Sequence, residues 1–294
     1  MAEAQPYDDR DGKIWLDGKL VDWRDANVHI LTHAMHYASS VFEGQRAYGG
    51  EIFELTRHSE RLHGSAKIMG MPMPFSVAEI DAACREVLTA NNLVDAYVRP
   101  VAWRGPEQMG VAAQQTKTHV AIAAWEWGDY FADKEKGIRL DIAQWRRPAP
   151  HTAPVHAKAA GLYMICSMSK HQAADRGYDD ALMMDWRGQV AEATGANAFF
   201  VQDGIIHTPT PDCFLNGITR QTVMGLAKKR GIKVIERDIW PEELEGFEQF
   251  FLTGSAAEVT PVREAGPWNF EVGEITLALM NDYSKLVRGQ LSNS

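Results

Sequence analysis

The sequence predicts an α+β fold built as two domains, and three observations predict it. Strand and helix signals are mixed along the chain without strict βαβ alternation, which points away from a doubly wound parallel sheet. A chain of 294 residues that is 45% hydrophobic can fill two cores. One stretch, Gly128–Gly137 (GDYFADKEKG), is polar, charged and closed by glycine, as a connection between domains would be. The expected division is residues 1–127, a connection at 128–137, and residues 138–294.

The elements follow in order. Ile14-Trp15-Leu16 and Lys19-Leu20-Val21 flank Asp17-Gly18, a hairpin signal because both turn positions want positive φ. Gly49-Gly50 reads the same way between Arg46–Tyr48 and Glu51–Phe53. One helix is expected from near His58 through Ile68. Another opens at Ser76, with Glu79 completing a capping box, and ends near Asn91-Asn92. Strands are expected at Ala96–Trp103, His119–Trp127, Ile138–Trp145, Asp180–Asp185, Ala198–Gln202 and Ile205–His207, the last two joined by Asp203-Gly204. A helix from about Thr219 to Arg230 carries Lys228, Lys229 and Arg230 in its last turn, where they complement the dipole, and Gly231 supplies the stop. Strand Lys233–Glu236, a short helix opened by Pro241, strand Gln249–Leu252 and a closing helix over Glu274–Arg288 complete the chain.

Composition excludes several classes. A net charge of −9 argues against nucleic acid as a partner and gives no attraction to anionic lipid. No run of about 18 apolar residues occurs, so no membrane span is expected. Met1 to Gly12 lacks the basic-then-apolar order of a secretory signal. Cys84, Cys166 and Cys213 are odd in number and far apart, which suits reduced thiols in the cytoplasm.

Lys158 is the residue that carries the most chemistry. Pro154 to Cys166 holds no other Lys, Arg, Asp or Glu. A lone amine among small and apolar neighbours loses hydration, which lowers its pKa and makes the neutral nucleophile available, as a Schiff-base lysine requires. The plainer reading is a lysine whose stem covers apolar surface while its head reaches water. Asn216-Gly217-Ile218-Thr219 opens a helix and offers free N–H donors to an anion, or is an ordinary Asn cap. Ser255-Ala256-Ala257 forms a second small-residue turn able to present N–H groups, or a plain tight turn. Glu192 stands among uncharged neighbours and needs a partner, for which a heterocyclic N–H⁺ would serve; a surface carboxylate is the alternative. Arg46, Arg61 and Arg99 each sit in a strand or helix with aromatic or apolar neighbours; Tyr97 and Arg99 point to one strand face and together suit carboxylate recognition, a structural ion pair being the alternative. His29, His33 and His36 have helical spacing but no accompanying carboxylate, so no metal site is expected.

Read together, the segments His33–Tyr48, His58–Ile68, Asn91–Pro100, Pro154–Tyr163, Ala191–Phe200, Leu215–Arg220 and Leu252–Val262 resemble the branched-chain amino-acid aminotransferases, fold-type IV enzymes that use pyridoxal 5′-phosphate. The resemblance runs from Ile14 to about Arg263. It implies a small N-terminal α/β domain and a larger C-terminal pseudo-barrel domain. It implies transamination of L-leucine, L-isoleucine and L-valine with 2-oxoglutarate, as in branched-chain amino-acid biosynthesis. Lys158 matches the lysine joined to the cofactor. Arg61, the amides of Ile218 and Thr219, and Ser255 match the phosphate site. Tyr163 matches the partner of the phenolic oxygen, and Glu192 the partner of the pyridine nitrogen. Tyr97 and the Ser255-Ala256-Ala257 turn match the α-carboxylate site. Phe42, Tyr37, Trp127 and Tyr130 fall where the family lines its side-chain pocket, and Arg99 where it receives the distal carboxylate of glutamate. Met109-Gly110-Val111 resembles a loop that reaches a partner subunit, so a homodimer or a higher homo-oligomer, a hexamer included, is implied.

One departure stands out. Many members carry a second acid where this chain has Ala196. An (R)-selective amine transaminase, a D-amino-acid transaminase or an aminodeoxychorismate lyase shares the fold type and remains an alternative. A non-catalytic anion-binding α+β protein is the alternative from another class.

Overall fold

The computed structural model describes residues 5–128, 131 and 134–291. The chain forms two compact units. The first is Met1–Gly128 together with Ala157–Gly161, and the second is Asp129–His156 with Leu162–Ser294. The short stretch around Lys158 thus belongs to the first unit although its flanks belong to the second.

In the first unit, in chain order, stand β1 (Lys13–Leu16), β2 (Lys19–Asp22), α1 (His33–Tyr37), β3 (Ser40–Phe42), β4 (Gln45–Tyr48), β5 (Glu51–Ile52), α2 (Leu55–Ile68), α3 (Val77–Ala90), β6 (Ala96–Arg104) and β7 (Thr118–Glu126). The strands form a sheet in the order β2-β1-β7-β6-β4-β5, with β3 also on β6. Both expected hairpins form: Asp17 and Gly18, and Gly49 and Gly50, all have positive φ. Ser76 and Glu79 cap α3 reciprocally. Strand alternation sends Ala96, Val98 and Ala102 to the covered side, where they are fully buried. Tyr97, Arg99, Val101 and Trp103 take the other side. There, Arg99, Val101, Trp103, Ala121 and Ala123 line an apolar groove of about 380 Å³.

The second unit contains β8 (Ile138–Ile142), α4 (Met164–Asp175), β9 (Asp180–Met184), β10 (Val190–Ala193), β11 (Asn197–Gln202), β12 (Ile205–Pro209), α5 (Ile218–Lys229), β13 (Val234–Arg237), β14 (Gln249–Gly254), β15 (Glu258–Ala265), β16 (Trp268–Asn269) and α6 (Glu274–Val287). Six of these strands close into a ring, β10-β9-β8-β15-β14-β11, because β10 pairs with β9 on one side and β11 on the other. This is the pseudo-barrel that the resemblance implied. Its interior follows strand alternation: Leu140, Leu182, Ala198, Phe200, Phe250, Leu252 and Val262 are fully buried in one cluster. Phe199 and Phe251 face the other way and stack at 5.0 Å.

The structure departs from expectation in several places, with α1, β3, β10 and β16 among the elements not expected. Helix α2 starts at Leu55, not near His58, because the His58 amide already donates to the Glu54 carbonyl at 3.2 Å and closes the first turn before it. Helix α4 was not expected, since MICSMSKHQAAD has no clean apolar stripe. Strand β15 was not expected because Pro261 sits inside it, opposite Phe251. Strand β8 ends at Ile142, short of Trp145. Among the described residues, no helix is long and apolar enough to cross a membrane.

Phe200 lies within 4.4 Å of the Phe250 ring and 5.0 Å of Phe247 inside the barrel. Phe200→Ala should lower the unfolding free energy by about 3–5 kcal/mol in urea titration. A loss below about 1 kcal/mol would show that this interior is not close-packed.

Candidate active site

In the first unit, a buried charge network surrounds Lys158. Ala159 bridges Val41 in antiparallel fashion, and the Phe42 amide donates to the Lys158 carbonyl at 3.1 Å. The Lys158 amide donates to Ser65 Oγ of α2 at 2.9 Å. These bonds set the segment as an extra edge on β3. The Lys158 Nζ lies 5.0 Å from the centre of the Phe42 ring, and the Arg99 guanidinium lies 4.8 Å from it. Arg99 donates to the Tyr97 hydroxyl at 3.0 Å, and Tyr97 packs against Trp127 at 4.8 Å. Gly44 permits this: a Cβ there would run into the Tyr97 hydroxyl.

Glu43, which sequence reasoning did not single out, is fully buried next to this cluster. Arg61 donates to it through Nε at 2.7 Å and Nη2 at 2.8 Å, and His58 Nδ1 lies 2.7 Å from the same carboxylate. A carboxylate only accepts, so His58 carries its proton on Nδ1. Burial alone would push the Glu43 carboxyl up; the Arg61 charge and hydrogen bonds, aided by His58, hold it well below the usual carboxylate range. Burial shifts His58 downward, against the pull of Glu43, which favours the neutral ring. Burial and then the Arg61 charge lower the Lys158 amine from the usual 10.5 to about 8, with Glu43 opposing. The network reads as the sequence suggested for Lys158, with two groups distant in the chain, Arg61 and Glu43, acting on it in opposite directions.

In the second unit, Glu192 and Asn197 form the pair that closes the barrel between β10 and β11. Asn197 Nδ2 donates to Glu192 Oε2 at 3.2 Å and to the Leu215 carbonyl at 3.0 Å. Buried Arg147 reaches the other Glu192 oxygen at 3.4 Å. Burial works against the Arg147 charge, but Glu192 and nearby groups raise its pKa above the ordinary value. Arg147 was missed because nothing near it in sequence announces Glu192. Gly217, not Asn216, caps α5, and no side chain caps its first turn. A Cβ at Gly217 would strike Asn197 Oδ1, so the glycine is required where the helix meets the barrel closure. Ile218 and Thr219 are buried in that first turn. The Ser255-Ala256-Ala257 turn joins β14 to β15, and the buried Thr253 Oγ1 before it has no hydrogen-bond partner. Ala196 is buried in the barrel cluster, 3.4 Å from the position a Gly254 Cβ would take. Tyr163 is half-buried at the start of α4.

The remaining candidates are placed as follows. Tyr37 stacks on His33 at 4.5 Å and is 43% exposed. Arg46 is buried, its guanidinium 4.9 Å from the Tyr48 ring. Tyr130 lies outside the described residues. The histidine trio takes polar protein partners: His33 contacts Ser39 Oγ and the Gly110 carbonyl, His36 the Ile30 carbonyl, and His29 the Leu31 amide. Asp185, Asp212 and Cys213 converge, but Arg187 donates to both carboxylates at 2.7–2.8 Å and offsets part of their charge. Val111 is 88% exposed and Met109 41% exposed on their loop.

Comparison with known proteins matches these features to one family. The model of the amino-transferase class IV family covers residues 40–265. The branched-chain-amino-acid aminotransferase of Pseudomonas aeruginosa is 43% identical over 291 residues, spanning 96% of this chain and 95% of that protein. The solved branched-chain amino acid aminotransferase of Escherichia coli superposes with a TM-score of 0.93 at 37% identity, covering 97% of both chains. The branched-chain amino acid aminotransferase of Thermobaculum terrenum, solved in its PLP-form, superposes with a TM-score of 0.88 at 29% identity, covering 95% of both. Likeness of this degree, over nearly the whole length and in the same fold-type IV architecture, means that the chain belongs to the amino-transferase class IV family and is one of its branched-chain-amino-acid aminotransferases.

Proposed function

We propose that this enzyme transfers the amino group of L-leucine, L-isoleucine and L-valine to 2-oxoglutarate with pyridoxal 5′-phosphate, the observation that carries the reading being the half-buried Lys158 amine, set 5.0 Å from the centre of the Phe42 ring with its pKa lowered to about 8. Two features of the chain fit that cofactor: a desolvated amine for its aldehyde in the first unit, and an α5 N-terminus without a side-chain cap for its phosphate in the second. The Thermobaculum terrenum relative, solved in its PLP-form, supports the choice. The relatives named above are branched-chain enzymes, which gives no support to an (R)-selective amine or D-amino-acid transaminase.

When bound, pyridoxal 5′-phosphate supplies an aldehyde that takes up the amino group and a ring that accepts electrons. The protein's residues divide the rest of the work. Lys158 Nζ, neutral in an appreciable fraction near pH 8, takes the proton from the substrate Cα and returns it. Arg61, the amides of Ile218 and Thr219, and Ser255 bind the phosphate. Tyr163 donates to the phenolic oxygen, and Glu192 holds a proton on the pyridine nitrogen. Asn197 and Arg147 orient Glu192 for that role. Tyr97, Ala256 and Ala257 bind the α-carboxylate. Phe42, Tyr37, Trp127 and Tyr130 exclude water from the aliphatic chain. Arg99 binds the distal carboxylate of glutamate, so one wall serves apolar and anionic side chains.

The same reading includes a homodimer, or a larger assembly of such dimers. Exposed Val28, Ile30, Leu31 and Met35 near the apolar groove, and Val111 on its loop, support a partner copy of this chain. A cytoplasmic location is supported by three buried free cysteines.

Added pyridoxal 5′-phosphate should turn the purified protein yellow, and borohydride should fix the label on the peptide carrying Lys158. A colourless protein, or a label elsewhere, would sink the reading. Arg99→Ala should cost glutamate turnover at least about tenfold more than leucine turnover; equal losses would refute its assignment. The unfolded chain keeps the lysine ammonium up to about 10.5 while the folded one releases it near 8. The unfolded state therefore binds more protons in that window, and apo-protein stability gains up to about 1.4 kcal/mol per pH unit from this group. Urea titrations from pH 8 upward should show the gain in the wild type and its loss in Lys158→Met.

A further inference from the structure

Glu43 is a fully buried carboxylate in the first unit's network. Its side chain is fully inaccessible, and one carboxylate receives three donors: Arg61 Nε, Arg61 Nη2 and His58 Nδ1. A buried charge left unpaired is costly, so this arrangement is held in place by the fold around it. The backbone is held as well, since the Glu43 amide donates to the Pro100 carbonyl of β6 at 2.8 Å. Next to it, Gly44 lets the Tyr97 hydroxyl approach the same strand.

The two Arg61 donors that Glu43 takes lie on one edge of the planar guanidinium. A fork bound along one edge cannot rotate about Cδ–Nε, which fixes the direction in which its remaining edge points. His58 donates to the carboxylate oxygen that accepts from Nη2, and its ring is 2% exposed. The carboxylate is therefore clamped from both sides and is not free to follow Arg61 if that side chain swings.

Resting on the cofactor reading above, we propose that Glu43 is a positioning residue for the cofactor: through its two-point bond it fixes the Arg61 guanidinium for phosphate binding and offsets the Arg61 charge beside the Lys158 amine. Its action on the phosphate passes through Arg61 alone. Glutamine at this position keeps the shape but presents an amide N–H₂ where an oxygen now accepts from Arg61 or His58, so the fork is broken. Lysine in place of Arg61 is a point donor that cannot take the fork.

The test is a double-mutant cycle read by pyridoxal 5′-phosphate binding, with circular dichroism confirming folded protein. Glu43→Gln should raise the Kd for pyridoxal 5′-phosphate by about tenfold or more in the native background, and by less than about threefold in Arg61→Lys. In the apo protein, the pH profile of Lys158 reductive methylation should move to lower pH in Glu43→Gln, because the offsetting negative charge is gone. Both results are required. An unchanged Kd, equal losses in the two backgrounds, or an unshifted methylation profile overturns the inference, since a carboxylate that served packing alone would lower the melting temperature without these changes. If Glu43→Gln does not fold, Glu43→Asp, which keeps the charge but withdraws it by one methylene, takes its place in the binding cycle with the same criteria. A wild-type protein that binds no pyridoxal 5′-phosphate would instead count against the proposed function.

Discussion

The first unit depends on holding one fully buried carboxylate, Glu43, beside three half-buried cations, the Lys158 amine and the Arg61 and Arg99 guanidinium groups. Glu43 makes that arrangement tenable. Without its charge, Arg61 would stand uncompensated next to Lys158, and burial of two cations would favour rearrangement over a fixed site. With it, the Glu43–Arg61 pair is close to neutral as a unit, and Lys158 experiences mainly desolvation. The amine is therefore held near the middle of its titration at mildly basic pH, where it can both take and release a proton. The aromatic faces of Phe42 and Tyr97 add cation contacts to Arg99, and the Tyr97 hydroxyl also accepts a hydrogen bond from it.

The second unit reaches an equivalent result through backbone pairing. Closure of the barrel falls on Glu192 and Asn197, and Asn197 also ties the chain just ahead of α5. A carboxylate at the seam of a closed sheet has its backbone fixed on both sides. One asparagine side chain then couples the seam to a helix N-terminus that has no side-chain cap. Ala196 is part of the apolar interior next to this seam. In this chain the seam is therefore packed with a methyl group, and the orientation of Glu192 falls to Asn197 and Arg147.

What could be read from the sequence was what neighbouring residues decide. Asp17-Gly18, Gly49-Gly50 and Asp203-Gly204 signalled turns because positive φ is a local demand, and Ser76 with Glu79 signalled a cap for the same reason. Lys158 stood out because its own segment lacks other charge. Glu43 and Arg147 were invisible for the opposite reason: their partners lie 15 to 45 positions away and meet them only after folding. Pro261 hid β15, since a proline is a poor strand residue until the partner strand is known. Asn216 was a reasonable cap candidate, but the glycine after it became the cap because Asn197 leaves no room for a side chain there.

The parallel pairing of β8 with β15 has a consequence for biosynthesis. Arg139 and Glu264, which join across that pairing, are 125 residues apart. While the ribosome is still making the intervening chain, β8 has an unsatisfied edge and the ring stands open. The nascent second unit must shelter apolar strands such as those carrying Phe199, Phe200, Phe250 and Phe251 until β15 emerges. Conditions that slow elongation prolong this window, so the separation of β8 from β15 in the chain is a burden on synthesis and not on the finished fold.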